Sequence, residues 1–374
     1  MEIYKIAIYP YSPEIDPILE HIFFLVPQYE IKSLISPKGW GYVGNDINLG
    51  KSNFGKKITV RPSVDEIDDD INCILIPEFD STEQFESTVI TNIETVLPQI
   101  NRIICNAHLK KANLKKLREI CANSSISCEF GIKNEIETKF DYYSKPRYET
   151  ESHLEEISVP VIAVAGLFEK VDKFYTSLAL RNMFINEGYK VSQIGARNYC
   201  EILGFHSFPE FMLSPEIDET KKIILFNRYV KQICDDERPD VVIIGIPGAI
   251  QSYNATITNH FGILHYMVSK SVIIDFLVVC TSVMTDESEL LKLISQSCLY
   301  KFGCAVDCFH MSNLLIDDSS AHEGNLSYSN LPRQNVDKII TEYYKESDVP
   351  VINVYNIDEA ARLYDKIINK LHGD

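Results

Sequence analysis

Apolar and polar positions alternate in two rhythms along this chain of 374 residues. Short apolar runs are typical of buried strands, and apolar residues that recur every three or four positions are typical of amphipathic helices. In the first part of the chain, the predicted strands lie at 5–8, 30–34, 73–76 and 102–105, with predicted helices near 17–24, 83–97 and 114–121. Strands and helices that alternate in this way favour βαβ units and a largely parallel sheet.

The second part of the chain opens with a nearly continuous apolar run at 159–165, which is typical of a central strand of a parallel sheet with both faces covered. A predicted helix at 173–187 follows, and Gly188 suits its left-handed C-terminal cap. Further strands are predicted at 191–194, 241–246, 273–281, 305–309 and 351–354. The last predicted helix begins after Asn356, whose capping box would be completed by Glu359, and its apolar face includes Ile357.

These patterns predict an α/β protein of two domains. The first, at 1–140, is expected to be a Rossmann-like domain with a parallel sheet. A polar stretch with little periodicity at 141–157 is interpreted as the linker. The second domain, at 158–374, is expected to contain another parallel sheet with the layout of a P-loop NTPase.

Charge and composition narrow the function further. Lysine plus arginine number 36 against 53 aspartate plus glutamate, a net charge of -17, which disfavours nucleic acids and anionic membranes as partners but is compatible with a cationic peptide. We find no secretion signal and no apolar run near the ~18 residues of a membrane helix, so we expect a soluble, cytoplasmic protein. The ten cysteines include no C-x-x-C pair and are expected to be free thiols.

The segment 166–174 lies between a predicted strand and a predicted helix, where a P-loop belongs. A working P-loop reads G-x-x-x-x-G-K-S/T: its amides wrap the phosphates, its lysine reaches them and its hydroxyl holds magnesium. Gly166 matches the first glycine, but the second would be Val171, or Asp172 in a loop one residue longer, and neither permits the close approach of glycine. Lys173 matches the lysine only in the longer register, which places Phe174 at the hydroxyl position.

The second acidic motif is also incomplete. The strand at 241–246 leads into a Pro247-Gly248 turn, but Gly245 stands where an aspartate would help to position magnesium. These degenerate motifs favour an anion or nucleotide bound at the helix start without turnover, at Gly166, Glu169, Lys170, Lys173 and Gly248. ATP is the candidate cofactor and no metal site is assigned. Nucleotide hydrolysis and a loop that binds nothing are the alternatives.

Two other patterns raise ligand hypotheses. A G-x-G-x-x-G match at 39–44 follows a strand, but it is not interpreted as a dinucleotide fingerprint, because the next residues do not open a helix and the strand before it is the second one. The loop at 36–50 remains a candidate ligand loop. Its candidate residues are Lys38, Gly39, Trp40 and Gly41.

Histidines and cysteines of the second domain form the last group of candidates. Cys298, Cys304, Cys308 and His310 include soft metal ligands, but their spacing is unlike that of metal knuckles, and buried thiols are the preferred interpretation. Asn259 and His260 precede a helix-like stretch near the expected ligand-binding edge of the sheet and are candidates. His206 and His265 are also candidates, and a structural role is the alternative for a lone histidine.

Several segments resemble the peptide maturation system proteins. The segments that carry the resemblance are Ser36 to Tyr42, Gly166 to Arg181, Lys190 to Gly195, Tyr199 to Glu201 and Gly204 to Pro209. Members of that family are encoded beside Cys-rich ribosomal precursor peptides and radical-SAM maturases. The resemblance therefore implies a precursor peptide and a radical-SAM maturase as partners, in a bacteriocin-like biosynthetic pathway, but it implies no particular reaction.

More distantly, the second domain is similar to P-loop proteins of the dethiobiotin synthetase and nitrogenase iron protein type, which implies ATP and magnesium. The departures at Val171, Phe174 and Gly245 argue against that implication. The preferred hypothesis is an accessory factor that binds a peptide or an anionic ligand. The alternatives are an ATP-dependent ligase or kinase acting on a peptide or amino-acid carboxylate, and a scaffold for the maturase. A homodimer is compatible with each of these three hypotheses.

Overall fold

The computed structural model describes residues 3–21, 25–50, 56–79, 82–130, 153–197, 199–319, 321–324 and 326–373. The chain divides into two compact units, Met1–Glu137 with Asn198–Gly204, and Thr138–Arg197 with Phe205–Asp374. The short segment Asn198–Gly204 therefore groups with the first unit, although it lies within the sequence of the second. Most of the predicted linker at 141–157 lies outside the described residues.

The first unit contains a five-stranded parallel sheet with short helices between the strands. Its strands are β1 (Tyr4–Ile8), β2 (Tyr29–Leu34), β3 (Asp46–Asn48), β4 (Lys57–Thr59), β5 (Cys73–Ile76), β6 (Arg102–Cys105) and β7 (Ser127–Phe130), and its helices are α1 (Asp16–Glu20), α2 (Glu83–Glu94) and α3 (Lys111–Asn123). The order in the sheet is β2-β1-β5-β6-β7, and β3 and β4 form a separate antiparallel hairpin. The parallel sheet predicted for this part of the chain is confirmed.

The second unit contains a seven-stranded sheet in which every strand pairing is parallel. Its strands are β8 (Val161–Gly166), β9 (Val191–Gly195), β10 (His206–Ser207), β11 (Val241–Gly245), β12 (Phe276–Thr281), β13 (Cys308–Met311), β14 (Leu314–Asp317), β15 (Ser327–Asn330) and β16 (Val351–Ile352). Its helices are α4 (Lys173–Asn186), α5 (Glu219–Glu237), α6 (Ile263–Ser271), α7 (Ser288–Phe302), α8 (Arg333–Tyr343) and α9 (Ile357–His372).

Strand β8 lies in the middle of that sheet, whose order is β10-β9-β11-β8-β12-β13-β16. All six of its residues are buried, as the continuous apolar run predicted. Alternate residues of a strand point to opposite faces, and accordingly Ala163 and Ala165 join one core cluster while Ile162 and Val164 join the other. The first cluster includes residues of α5, α6, α7 and α8, and the second includes residues of α4 and α9. Helices therefore cover both faces, which is the predicted α/β architecture.

The ends of two predicted helices show how local signals work here. Gly188, at φ +87°, follows α4 and donates its N–H to the Ile185 carbonyl at 3.0 Å, as expected of a left-handed cap. At α9, the Asn356 side chain accepts from the Asp358 N–H at 3.1 Å. The capping box predicted there was wrong, because the Asn356 N–H donates to the Asn353 carbonyl oxygen at 2.9 Å and Glu359 accepts from Arg362. Ile357 is 83% exposed and so lies outside the apolar face.

The sequence analysis missed the helices α5, α7 and α8, the strands β7 and β10, and the two antiparallel hairpins β3–β4 and β14–β15. The signal for α5 was present, since Phe226, Val230 and Ile233 recur at helical spacing and are buried. Asp218 caps this helix by accepting the Lys221 N–H at 2.9 Å. Among the described residues, no helix combines the length and apolar character that a membrane span requires.

Candidate functional site

The loop between β8 and α4 lies at the carboxyl end of the second unit's sheet. Gly166 is the last residue of β8 and lies opposite Cys280 of β12. The next residue, Leu167, donates its N–H to the Cys280 carbonyl at 2.7 Å, and Gly166 accepts from the Ile250 N–H at 2.8 Å. The start of the loop is therefore held by β12 on one side and by the loop after β11 on the other. This is the edge at which ligands of open parallel sheets bind.

Asp172 adopts the backbone conformation that a P-loop usually obtains from glycine. Its φ and ψ are 58° and 20°, in the left-handed region, and it occupies the N-cap of α4. Aspartate tolerates this region better than most residues do, at a cost of about 1 kcal/mol. The loop thus follows the longer of the two registers, with Asp172 in place of the second glycine and Lys173 as the first residue of the helix. The sequence did not predict that aspartate would make this turn.

The side chain of Lys173 lies across Gly166. A Cβ on Gly166 would stand 2.8 Å from Cδ and 3.0 Å from Nζ of Lys173, and 2.6 Å from the Phe168 carbonyl oxygen. Nζ donates a hydrogen bond to the Gly248 carbonyl oxygen. The structure therefore brings together Gly166, Lys173 and Gly248, which the sequence assigned to one site, and it explains why position 166 requires glycine.

Charged groups of both signs surround this loop. Burial lowers the pKa of Lys173 to about 8, the Glu169 carboxylate opposes that change, and the Arg197 guanidinium adds to it. Arg197 follows β9 and was missed by sequence reasoning, although a basic residue just beyond a buried strand is a usable signal. With Lys170, the loop and its neighbour supply three cationic groups against the two carboxylates of Glu169 and Asp172.

The two positions that would support magnesium are occupied otherwise. Phe174 is 6% exposed, and its ring lies 6.5 Å from that of Phe205, so it belongs to the core. Gly245 leaves little room for a side chain, since a Cβ there would stand 3.1 Å from Ser177 Oγ and 3.3 Å from the Ala196 nitrogen. The Ser177 hydroxyl donates to the Lys173 carbonyl oxygen at 2.8 Å. Side chains that contact magnesium in a working site therefore have no equivalent at these two positions.

His265 on α6 lies near the base of the loop. Its side chain is 2% exposed, and within the described part of the chain neither ring nitrogen has a hydrogen-bond partner. Burial lowers its pKa well below the ordinary value, and the charge of Lys173 contributes to that change. His265 is therefore a neutral imidazole close to the lysine.

Three segments meet beside the loop. The ring of Phe168 lies 5.4 Å from that of Tyr253, in the loop after β11. The Tyr253 hydroxyl donates to Asp318 Oδ2 at 3.0 Å, and Asp318 follows β14. Lys170 Nζ lies 5.7 Å from the centre of the Tyr328 ring on β15. The hairpin β14–β15 thus borders the loop, a contact that no local sequence signal indicated.

His206 lies in a different cluster from Lys173. Its Nε2 is 2.5 Å from Glu237 Oε1, and Ser192 donates its hydroxyl hydrogen to the other carboxylate oxygen. Burial disfavours the charge on Glu237, but the hydrogen bonds from His206 and Ser192 hold its pKa below the ordinary value. Because Glu237 stands between the serine and the histidine, this is not the arrangement of an activated nucleophile.

Asn259 and His260 lie in a short 3-10 turn before α6. Both have left-handed backbones, with φ values of 48° and 49°. The Asn259 amide donates to the Gln251 carbonyl oxygen at 3.1 Å, whereas His260 is exposed. Asn259 therefore supports the loop after β11.

The candidate ligand loop of the first unit has another form. Gly39 and Gly41 have φ values of 97° and 81°, and β3 follows the loop instead of a helix, which confirms that this is not a dinucleotide fingerprint. Trp40 stacks on Phe85 of α2 at 5.3 Å between ring centres, and Lys38 is exposed.

The cysteine and histidine cluster is divided between the two faces of the sheet. Cys298 belongs to one core cluster, against which Cys304 packs, whereas Cys308 belongs to the cluster on the other face. His310 Nδ1 accepts from the Val354 N–H at 3.3 Å, and burial lowers the pKa of this histidine to about 3. Across the described ranges, no three His, Cys, Asp or Glu residues are grouped to hold a metal ion.

Comparison with known proteins gives a likeness of fold. No protein-family model matches the chain, and no curated protein matches it. A crystal structure of a DUF1611 family protein from Anabaena variabilis is similar over 98% of this chain and 99% of that one, with a TM-score of 0.63 and 12% identity. An ATP complex of a McdA variant from Cyanothece is similar over 58% of this chain and 92% of its own, with a TM-score of 0.31 and 14% identity, which is too low for any conclusion. The chain therefore shares the two-domain α/β fold of the DUF1611 family protein.

Proposed function

We propose that this protein is an accessory factor in the maturation of a ribosomally made, Cys-rich peptide, and that it binds an anionic group at the loop Gly166–Lys173 without hydrolysing a nucleoside triphosphate. The observation that carries the anion-binding part is the position of Lys173. Its ammonium group stands at the start of a 14-residue helix, where the helix dipole also favours an anion. Arg197 adds a second positive charge nearby.

The Lys173 ammonium group makes a hydrogen bond that a bound anion could replace. Lys173 donates to the Gly248 carbonyl oxygen, which is a neutral acceptor. Hydrogen bonds between charged partners are roughly twice as strong as neutral ones. A phosphate or carboxylate at the helix start would therefore compete with Gly248 for the lysine.

Binding without turnover follows from the two replaced magnesium positions. Phe174 has no oxygen to contact a metal ion, and Gly245 has no carboxylate to orient one. The charge that develops on a transferring phosphoryl group would face only Lys173 and its neighbouring cations. Electrostatic stabilisation of the transition state is usually the largest part of such catalysis, so hydrolysis should be negligible.

The peptide part of the proposal comes from the sequence. The segments that resemble peptide maturation system proteins include Ser36 to Tyr42 in the first unit and Gly166 to Arg181 in the second. The net charge of -17 favours a cationic partner over an anionic polymer. A radical-SAM maturase as second partner rests on the same resemblance.

The test is a paired measurement of nucleotide binding and turnover. We expect ATPase and GTPase rates equal to those of a buffer control, with or without magnesium. We also expect ATP binding, measured by calorimetry without magnesium, to weaken at least tenfold in Lys173→Ala, because the charge-assisted hydrogen bond is lost. Lys338→Ala is the control, since Lys338 is an exposed lysine on α8.

Three outcomes would contradict the proposal. Turnover that disappears in Lys173→Ala but persists in Lys338→Ala would favour the ATP-dependent ligase or kinase. Equal ATP affinity in both variants would show that the loop is not the anion site. The turnover assay should be repeated with the precursor peptide, because a substrate can supply a missing metal ligand. Magnesium-dependent turnover only with peptide would also favour the enzyme.

A further inference from the structure

The aromatic side chains beside the loop form a surface that the anion-binding function does not use. We call Phe168, Tyr253 and Tyr328 the aromatic mouth. They come from three separate segments, the loop after β8, the loop after β11 and the strand β15. All three side chains are half-buried, so each ring presents some of its surface to solvent. Aromatic faces carry negative electrostatic potential, which attracts cations.

Two carboxylates increase that negative potential. Asp318 accepts from the Tyr253 hydroxyl at 3.0 Å, and burial together with this carboxylate raises the pKa of Tyr253 to about 12. Burial also raises the pKa of Tyr328, the Lys170 ammonium group opposes that change, and the Glu169 carboxylate adds to it. Both Glu169 and Asp318 are exposed. The mouth thus combines aromatic faces with acidic groups that remain open to solvent.

The chain itself already places one cation against this surface. Lys170 Nζ lies 5.7 Å from the centre of the Tyr328 ring, within the range of a cation–π interaction. Lys170 reaches this position from a left-handed backbone, with φ at 60°. An ammonium group on a flexible side chain therefore fits the mouth, and the groups that surround it suit a positive charge.

We propose that the aromatic mouth binds a lysine or arginine side chain of a peptide, and that Lys170 is the internal cation that this side chain displaces. The choice of a peptide as ligand rests on the proposed function. The choice of a cationic side chain rests on the three rings, the two carboxylates and the position of Lys170. A neutral ring, such as a nucleobase, could stack on the same tyrosines but would gain nothing from Glu169 and Asp318.

The experiment uses two blocked nine-residue peptides of glycine and serine, one with a central lysine and one with a central norleucine. Each peptide is titrated into the full chain, and the NMR signals of ¹³C-labelled tyrosine are followed. We expect saturable binding of the lysine peptide only. Lys170→Ala should bind it about threefold more tightly, because the internal competitor is gone, and adding Tyr328→Leu should weaken it about threefold again.

Asp318→Asn is a second variant, chosen because Asp318 is exposed and its replacement keeps the size of the side chain. It should also weaken binding of the lysine peptide, while leaving the thermal unfolding midpoint unchanged. The proposal is wrong if the norleucine peptide binds equally well. It is equally wrong if Lys170→Ala does not tighten binding, or if both Tyr328→Leu and Asp318→Asn leave binding unchanged.

The same variants separate this proposal from the anion-binding function. Calorimetric titration should show that tripolyphosphate binds Tyr328→Leu and Asp318→Asn no more weakly than the unchanged protein, because Lys173 is untouched. Loss of lysine-peptide binding with intact tripolyphosphate binding would identify the mouth as a separate site. Lysine-peptide binding in a protein that fails to bind tripolyphosphate would refute the anion site and leave the mouth standing.

Discussion

Two loops in this protein follow parallel strands, and their glycine spacings, taken alone, suggest the opposite of their structures. The loop after β2 contains the spacing G-x-G-x-x-G, yet it leads into the short strand β3. The loop after β8 keeps one glycine of the expected two, yet it leads directly into α4 through a left-handed turn at Asp172. The match to a glycine pattern therefore predicted the local geometry poorly in both places.

The difference arises from what each loop must pack against. Gly166 is required because the Phe168 carbonyl oxygen and the Lys173 side chain both lie against it, whereas a Cβ on Gly39, Gly41 or Gly44 would meet nothing within 4 Å. The glycines of the first loop therefore serve the backbone, with φ values between 81° and 97°. In the second loop, Asp172 supplies the left-handed turn, and the glycine supplies space for the lysine.

The largest effect should separate the two loops directly. Gly166→Ala should abolish tripolyphosphate binding and destabilise the protein by about 1–3 kcal/mol, because the new Cβ would stand 2.6 Å from the Phe168 carbonyl oxygen and 2.8 Å from Lys173 Cδ. Gly41→Ala is the matched control. It costs about 1–2 kcal/mol of backbone strain but should leave the affinity unchanged. Calorimetry and denaturant midpoints measure the two quantities. Similar loss of affinity in both variants would contradict the assignment of the anion site.

A smaller effect should distinguish conformation from charge at Asp172. Asp172→Asn keeps a residue that tolerates the left-handed region and removes a negative charge, so tripolyphosphate binding should tighten several-fold. Asp172→Gly should tighten binding similarly and also raise stability by up to about 1 kcal/mol. Asp172→Ala should instead lower stability by about 1 kcal/mol. If Ala and Gly gave equal denaturant midpoints, the left-handed turn would not be a constraint.

The pH dependence of anion binding tests the state of Lys173. Its pKa is about 8 in the folded chain, against 10.5 ordinarily. Lys173 is charged below pH 8, so tripolyphosphate affinity should fall as the pH rises through 8. A bound anion favours the charged lysine and should move this fall in affinity to a higher pH. Stability should change in the opposite direction, because between pH 8 and 10.5 the unfolded chain binds more protons and folding gains as pH rises. The Lys173→Arg variant keeps its positive charge over this pH range, so its tripolyphosphate affinity should not fall, provided that the variant still binds tripolyphosphate at pH 7.

The smallest expected effect concerns the first loop. Trp40 is the only tryptophan, and it stacks on Phe85 at 5.3 Å. Because this loop lacks a helix start, tripolyphosphate should leave the tryptophan fluorescence unchanged at concentrations that saturate the second unit. A fluorescence change that persists in Lys173→Ala would show that an anion binds at the first loop. It would contradict the assignment of the anion site to the loop after β8.

Much of the framework could be predicted from local patterns. The strands β1, β2, β5, β6, β8, β9, β11 and β12 follow apolar runs that are long enough to read without tertiary information. The start of α4 at Lys173 was predicted, as was the cap at Gly188. The helices α5, α7 and α8 were missed although α5, at least, had a readable pattern. The hairpin β14–β15 carries a weaker signal, since its burial alternates only in β14.

The sequence by itself determined the α/β class, the central strand β8 and the replacement of both magnesium positions, because these depend on residue identity and on short-range periodicity. The tertiary structure alone decided that Asp172 makes a left-handed turn, that Lys173 reaches Gly248, and that Arg197 stands near the lysine. It also decided that Tyr253 and Tyr328 flank the loop. These residues come together because parallel strands bring loops that are distant in the sequence to one edge of the sheet. The spacing of residues along the chain does not predict which of these loops are close in space.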